Sequence, residues 1–134
     1  MPAPALPHRF GCAKCFGDDP DAACEHRLDI VARLIDDSHF IILLRRCPDC
    51  RQDFVSIFTE FIDWADGDDP QYRDIMPLTA EEATMLRSMG EQVDLAWLER
   101  IGRDRRRLCM RHPKGEPRRC YWAEGGLSIY RSSG

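Results

Sequence analysis

Apolar and polar positions alternate through residues 27–35, with Leu28, Ile30, Ala32 and Leu34 on one side and Asp29, Val31 and Arg33 on the other. A period of two belongs to a half-buried strand. Asp36-Asp37-Ser38 is a turn by composition, and the unbroken apolar run Phe40-Ile41-Ile42-Leu43-Leu44 predicts a second, more deeply buried strand. Asp53–Ile62 fits two periods. Phe54, Ile57, Phe58, Phe61 and Ile62 have helical spacing, but the run is rich in Phe, Val, Ile and Thr and holds no Ala or Leu. β-branched and aromatic side chains favour a strand, which is the reading adopted.

Helix signals dominate the second half. Asp69 as a cap with Pro70 at the first helical position predicts a short helix toward Ile75, ended by Pro77. Thr79-Ala80-Glu81-Glu82 is a capping box, with Leu78 placed as its hydrophobic staple, and the helix it opens should run to about Met89, before Gly90. From Gln92 to Leu108, Val93, Trp97 and Ile101 fall on one face with Leu98 beside them, and Glu99 stands four residues before Arg103. His112-Pro113 through Pro117 breaks that pattern. Cys120-Tyr121-Trp122 and Leu127–Tyr130 flank Ala123-Glu124-Gly125-Gly126, which predicts a terminal hairpin. The prolines in residues 1–9 suggest a loose arm, and Asp18-Asp19-Pro20-Asp21 a loop.

The expected fold is α+β: an antiparallel sheet near the N-terminus, two helices packed on it and a C-terminal hairpin. A length of 134 residues suits one domain with a modest core, helped by a staple. Its two parts would be residues 10–63 and residues 64–134. Hydrophobic content of 43% and charged content of 31% are those of an ordinary globular protein. No secretory leader and no membrane span are evident in the sequence, so the expected compartment is a reducing cytoplasm.

Net charge is −4 and unevenly spread: residues 60–100 hold eleven acids and three arginines, and residues 101–134 hold nine bases and three acids. Arg100, Arg103 and Arg107 would share one helical stripe, extended by Arg105 and Arg106. That stripe could face phosphates, or be a solvated face that offsets the acidic middle of the same chain. The acids Asp63, Asp66, Asp68 and Asp69 do not keep the register of a calcium loop, because Ala65 and Gly67 occupy ligand positions.

Seven cysteines carry the candidate chemistry. Cys12-Ala13-Lys14-Cys15 and Cys47-Pro48-Asp49-Cys50 are both Cys-x-x-Cys, a spacing that turns two sulfurs toward one point. Four thiolates make a closed structural zinc site, and the 31 residues between the pairs leave room for a hairpin. Cys24 and His26 are ligand types at no familiar spacing. They could replace one cysteine, or join Cys12 and Cys15 in a rival local site. Cys109-x-x-His112, with Cys120 beyond, lacks four convincing donors; Cys109 is expected to pack in a helix end and His112 to sit in the following loop. A redox use of Cys47 as nucleophile and Cys50 as resolving thiol would call for a helix after the pair.

With these knuckles in view, residues 10–63 resemble a zinc ribbon with rubredoxin-like knuckles. The resemblance implies one structural Zn2+ held at the end of a small antiparallel sheet by Cys12, Cys15, Cys47 and Cys50. It covers less than half of the chain and implies no particular activity. The later run Asp63-Trp64 … Gly67-Asp68-Asp69-Pro70-Gln71 … Pro77-Leu78-Thr79 is similar to one in small bacterial proteins, which also implies no function. No nucleophile elbow, phosphate-cradling glycine loop or His-Glu-x-x-His is present. The expected function is therefore a non-enzymatic, zinc-stabilised binding or adaptor protein, with the acidic loop and Tyr121, Trp122 and Tyr130 as contacts for a protein partner. Second comes nucleic-acid binding by the Arg-rich helix and tail, and third a thiol redox protein.

Overall fold

A computed structural model describes residues 10–61 and 70–129. Six strands form one antiparallel sheet in the order in which they occur along the chain. They are β1 (Asp29–Asp37), β2 (Phe40–Arg46), β3 (Asp53–Glu60), β4 (Gln71–Leu78), β5 (Arg107–His112) and β6 (Arg119–Ala123). Three short helices accompany them: α1 (Pro20–Glu25), α2 (Ala80–Met89) and α3 (Leu95–Arg100). The three predicted strands of the N-terminal half form, with the β1–β2 turn on Ser38 and His39. Asp53–Ile62 is a strand over its described length, pairing Phe54 with Arg45 on one side and Pro77 on the other.

The alternation along β2 and β3 divides the sheet into two faces. Ile42, Leu44, Val55, Ile57, Met76 and Leu78 point to one side, where they meet Ala83 and Leu86 of α2 and Leu98 of α3. The predicted capping box forms as read: Thr79 Oγ1 accepts from Glu82 N–H at 3.1 Å, and Glu82 Oε1 accepts from Thr79 N–H at 2.9 Å. The opposite face carries a smaller cluster of Cys15, Leu28, Cys47 and Phe54.

Four predicted elements are corrected. Gln71–Leu78 is a strand where a short helix was expected. Pro70 stands just before that strand, where its fixed φ and missing N–H are tolerated. The helix expected over Gln92–Leu108 ends at Arg100, because Ile101 is extended and Gly102 turns the chain back at a φ of 72°. Residues 101–106 form a turn and β5 begins at Arg107, so Arg100, Arg103 and Arg107 share no helical stripe, Glu99 and Arg103 are not one turn apart, and Cys109 is buried in a strand. The terminal hairpin expected between Cys120–Trp122 and Leu127–Tyr130 does not form among the described residues: Leu127–Ile129 is not a strand, and β6 pairs instead with β5, with Cys120 opposite Met110 and Trp122 opposite Leu108. α1 arises where a loop was expected, with Asp19 as N-cap and Pro20 in its first turn. The proposed N-terminal arm, the four aspartates from Asp63 to Asp69 and Tyr130 lie outside the described residues.

Candidate metal centre

Each knuckle is built by backbone bonds that the Cys-x-x-Cys spacing permits. Phe16 N–H returns to the Cys12 carbonyl at 2.8 Å, and Arg51 N–H to the Cys47 carbonyl at 2.9 Å. Gly11 opens the first turn at a φ of 65°, and a Cβ there would lie 2.8 Å from Cys15 Sγ and 2.6 Å from Phe16 Cβ. Only glycine fits. Arg51 closes the second turn at a φ of 66°, a left-handed conformation that is costly for an L-residue with a Cβ.

The β1–β2 hairpin brings the two turns together. Cys12 Sγ lies 3.7 Å from Cys15 Sγ and 3.9 Å from Cys47 Sγ, and Cys15 Sγ lies 3.7 Å from Cys50 Sγ. All four sulfurs are within 4.8 Å of one another. Four sulfurs bound at about 2.3 Å to one tetrahedral ion would stand about 3.8 Å apart. These three edges fit that tetrahedron, so the four cysteines could hold a metal ion. Cys15 and Cys47 are buried, Cys12 is half-buried and Cys50 is exposed.

The surroundings stabilise thiolates unequally. Hydrogen bonding from the Cys15 backbone is the main cause that draws the Cys12 thiol down to about 7. Burial pushes Cys15 and Cys50 up. No helix follows Cys50; the chain enters β3 at Asp53.

The two residues read as alternative ligands separate. His26 Nε2 is 3.3 Å from Cys47 Sγ and 3.5 Å from Asp49 Oδ2, so it flanks the sulfur cluster. His26, Cys47 and Asp49 form a second potential ligand group that shares Cys47 with the first. Cys24 is instead joined to Cys120 of β6 in a disulfide, with their Cα atoms 6.7 Å apart. It cannot join Cys12, Cys15 and His26 in a local site while so bonded.

One structural residue had no motif to announce it. Gln52 Oε1 accepts from Gly11 N–H at 3.0 Å, and its Nε2 donates to the carbonyls of Leu78 at 2.6 Å and Asp53 at 2.8 Å. A single side chain thereby ties the first knuckle to the second and to the end of β4. Its position directly after Cys50-Arg51 was the available signal.

The five arginines expected on a helix have separate surroundings. Arg105 reaches Glu82 Oε1 at 2.6 Å and the Pro77 carbonyl at 3.0 Å, and lies over the Phe10 ring at 4.6 Å. Arg106 is sandwiched between Phe16 and Trp122, 4.4 and 4.0 Å from their centroids, and donates to the carbonyls of Phe16 and Gly17. Arg107 donates to the Gly126 carbonyl and faces Asp74. Arg100 and Arg103 are exposed. No helix among the described residues is long and apolar enough to cross a membrane.

Comparison with protein-family models, curated proteins and solved structures returned no match.

Proposed function

We propose that this chain is a non-enzymatic binding protein whose N-terminal half is a zinc-ribbon-like module held by one Zn2+ on Cys12, Cys15, Cys47 and Cys50. One observation carries the reading: the sulfur-to-sulfur edges of 3.7, 3.7 and 3.9 Å are those of a tetrahedral thiolate site. Zinc is the ion of choice for four thiolates in a role without redox change. A set of four protein donors leaves no position for water or substrate, which favours a structural role over catalysis. His26 then donates its Nε2–H to the Cys47 sulfur, an outer interaction that orients the ligand and lowers the charge it must carry.

A protein partner is the better match to the surface. Tyr121 is exposed on β6, and an aromatic side chain of this kind can anchor a protein contact. The nucleic-acid alternative keeps Arg100 and Arg103 as exposed cations, while Arg105, Arg106 and Arg107 are engaged inside the fold. A cytoplasmic location suits thiolates that must stay unoxidised to bind metal; Cys24 and Cys120 would then be a pair of thiols in the cell that close on oxidation.

Elemental analysis of protein purified without added metal tests the core of the proposal, with one zinc per chain expected. Clearly less than one, together with no tetrahedral thiolate spectrum on cobalt(II) addition, would sink it. Recovery of partners with and without nuclease separates the two binding readings: a nuclease-resistant protein complex supports the first, and loss of the partner on nuclease treatment supports the second.

A further inference from the structure

The sheet face that carries the cysteine knuckles also carries Arg45 and Arg73, which form no ion pair among the described residues. Arg45 of β2 and Arg73 of β4 both point to this side, as the register Arg45–Phe54 and Phe58–Arg73 requires. Between their levels on the same face lies Ser56, which is 2% exposed at the centre of β3. Arg118, just before β6, faces Arg73 across a small cleft whose floor is Ile75, Leu108 and Met110 and whose wall is Cys24. No carboxylate lines that cleft.

The guanidiniums are poorly satisfied for groups so far from water. Arg45 spends Nη2 on the Leu28 carbonyl at 2.7 Å, while its buried Nε has no hydrogen-bond partner. Arg73 lies over the Phe58 ring, 5.6 Å from its centroid, and among the described residues it forms no ion pair. Burial is the main cause that lowers both guanidinium pKa values, and the facing charges add to it: Arg73 and Arg27 on Arg45, and Arg118 on Arg73. Asp29 acts on Arg45 in the opposite sense and is the one acid in that balance. Elsewhere on the sheet, arginines at similar depth have carboxylates: Arg111 and Arg107 have Asp74, and Arg105 has Glu82. Half-buried like charges without a counter-ion are costly, and a bound anion removes that cost.

We propose that the mouth of the cleft between Arg73 and Arg118 binds the phosphate group of a small phosphorylated ligand. The charge count favours a dianion over a single carboxylate: two cations, Arg73 and Arg118, line the cleft, and a phosphate monoester carries about −1.5 to −2 at neutral pH. Planar guanidiniums pair with phosphate oxygens in two-point fashion. The cleft itself has room for about one water, roughly 20 Å³, so the phosphate sits at its mouth against Arg118, and the rest of the ligand lies outward. This site is independent of the metal.

The probe is inorganic phosphate, added to metal-loaded full-length protein and followed by 31P line broadening and by thermal unfolding. Sodium chloride at matched ionic strength is the control, and sulfate and adenosine monophosphate are further arms. The expected result is saturable binding, with stabilisation beyond that of chloride, and Arg118→Gln weakening it about ten-fold or more. Arg118 is exposed, so that variant should fold, and its unfolding curve without phosphate checks that it does. Arg103→Gln, remote from the cleft, should bind as wild type does. Tighter binding of adenosine monophosphate than of phosphate identifies a nucleotide source, and equal binding identifies the bare phosphate group. A response that follows ionic strength alone, or is unchanged in Arg118→Gln, overturns the proposal.

Discussion

Cys15 Sγ and Cys50 Sγ lie 3.7 Å apart, although 35 positions separate them in the chain. Two sulfurs at that distance are in van der Waals contact, and with two more beside them they also make the ligand shell of a tetrahedral ion. If a metal ion is the cause, its removal should loosen the elements that carry the ligands. With chelator, amide exchange is expected to rise sharply in residues 10–28 and 47–54 while Leu86 and Leu98 keep more of their protection. Structural zinc can contribute on the order of 10 kcal/mol, so Cys15→Ser should lose metal and fold poorly. Unchanged exchange in both knuckles on chelation would count against a structural metal.

Gln52 is predicted to matter as much as a ligand's neighbour can. Gln52→Ala leaves the Gly11 N–H and the Leu78 carbonyl without their partner. The expected loss is about 1–3 kcal/mol in urea unfolding, with faster metal release to a chromogenic chelator. A variant with wild-type midpoint and release rate would show that water replaces the side chain at no cost.

Asp74 anchors two arginines beneath the sheet. Its Oδ1 is 2.7 Å from Arg111 Nη1 and its Oδ2 is 3.7 Å from Arg107 Nε, with the Asp74 side chain only 8% exposed. Asp74→Ala should cost about 3–5 kcal/mol, because it strands buried cations. Asp74→Leu combined with Arg111→Met should cost clearly less than Asp74→Ala. Chemical denaturation of the single and double variants measures this coupling, and additive losses would refute it.

The far end of the sheet is tied by Glu60, which holds Gln71 Nε2 at 2.7 Å and His39 Nδ1 at 2.9 Å. The Gln71 hydrogen bond first, and the His39 one second, draw the Glu60 carboxyl below its ordinary 4.5. A carboxylate with a depressed folded value contributes stability that is complete above its unfolded pKa and is lost as pH falls through the folded one. Glu60→Gln should therefore flatten the stability profile below about pH 4.5 and leave its shape above that pH unchanged. An acid limb identical to wild type would refute the assignment.

Cys24 and Cys120 are expected to appear as one cross-linked peptide pair in unreduced digests, and their reduction should lower stability by about 2–4 kcal/mol. Alkylation during lysis, followed by mass spectrometry, reports which form the cell holds. A pair that is fully alkylated in vivo and resists later oxidation in vitro would rule out the bond.

Local patterns were legible where one physical signal ruled. The knuckles, the alternation of β1, the apolar run of β2 and the Thr79 capping box could each be read directly. β4 was hidden because its inward positions include Asp74, whose charge is answered by Arg111 from a strand 37 residues later. The alternation Tyr72, Asp74, Met76, Leu78 was there, but the Asp69-Pro70 helix signal outweighed it. For β5, the spacing of Val93, Trp97 and Ile101 carried the eye past Gly102, the residue that stops the helix. The continuous run Leu108-Cys109-Met110 was the better guide. The partner of Cys24 lay 96 positions away, and spacing cannot reveal such a pairing.

The simple meander has a consequence for synthesis. Each strand pairs with the one made just before it, so the emerging chain never has to wait for a distant segment to extend the sheet. All four candidate ligands have left the ribosome once residue 50 has, before β3 exists. The N-terminal knuckles can thus take up an ion as a nascent unit, and β3 is then laid onto an edge already pinned. β6 comes last, and it carries Cys120 back to Cys24: the final strand translated closes over the first helix.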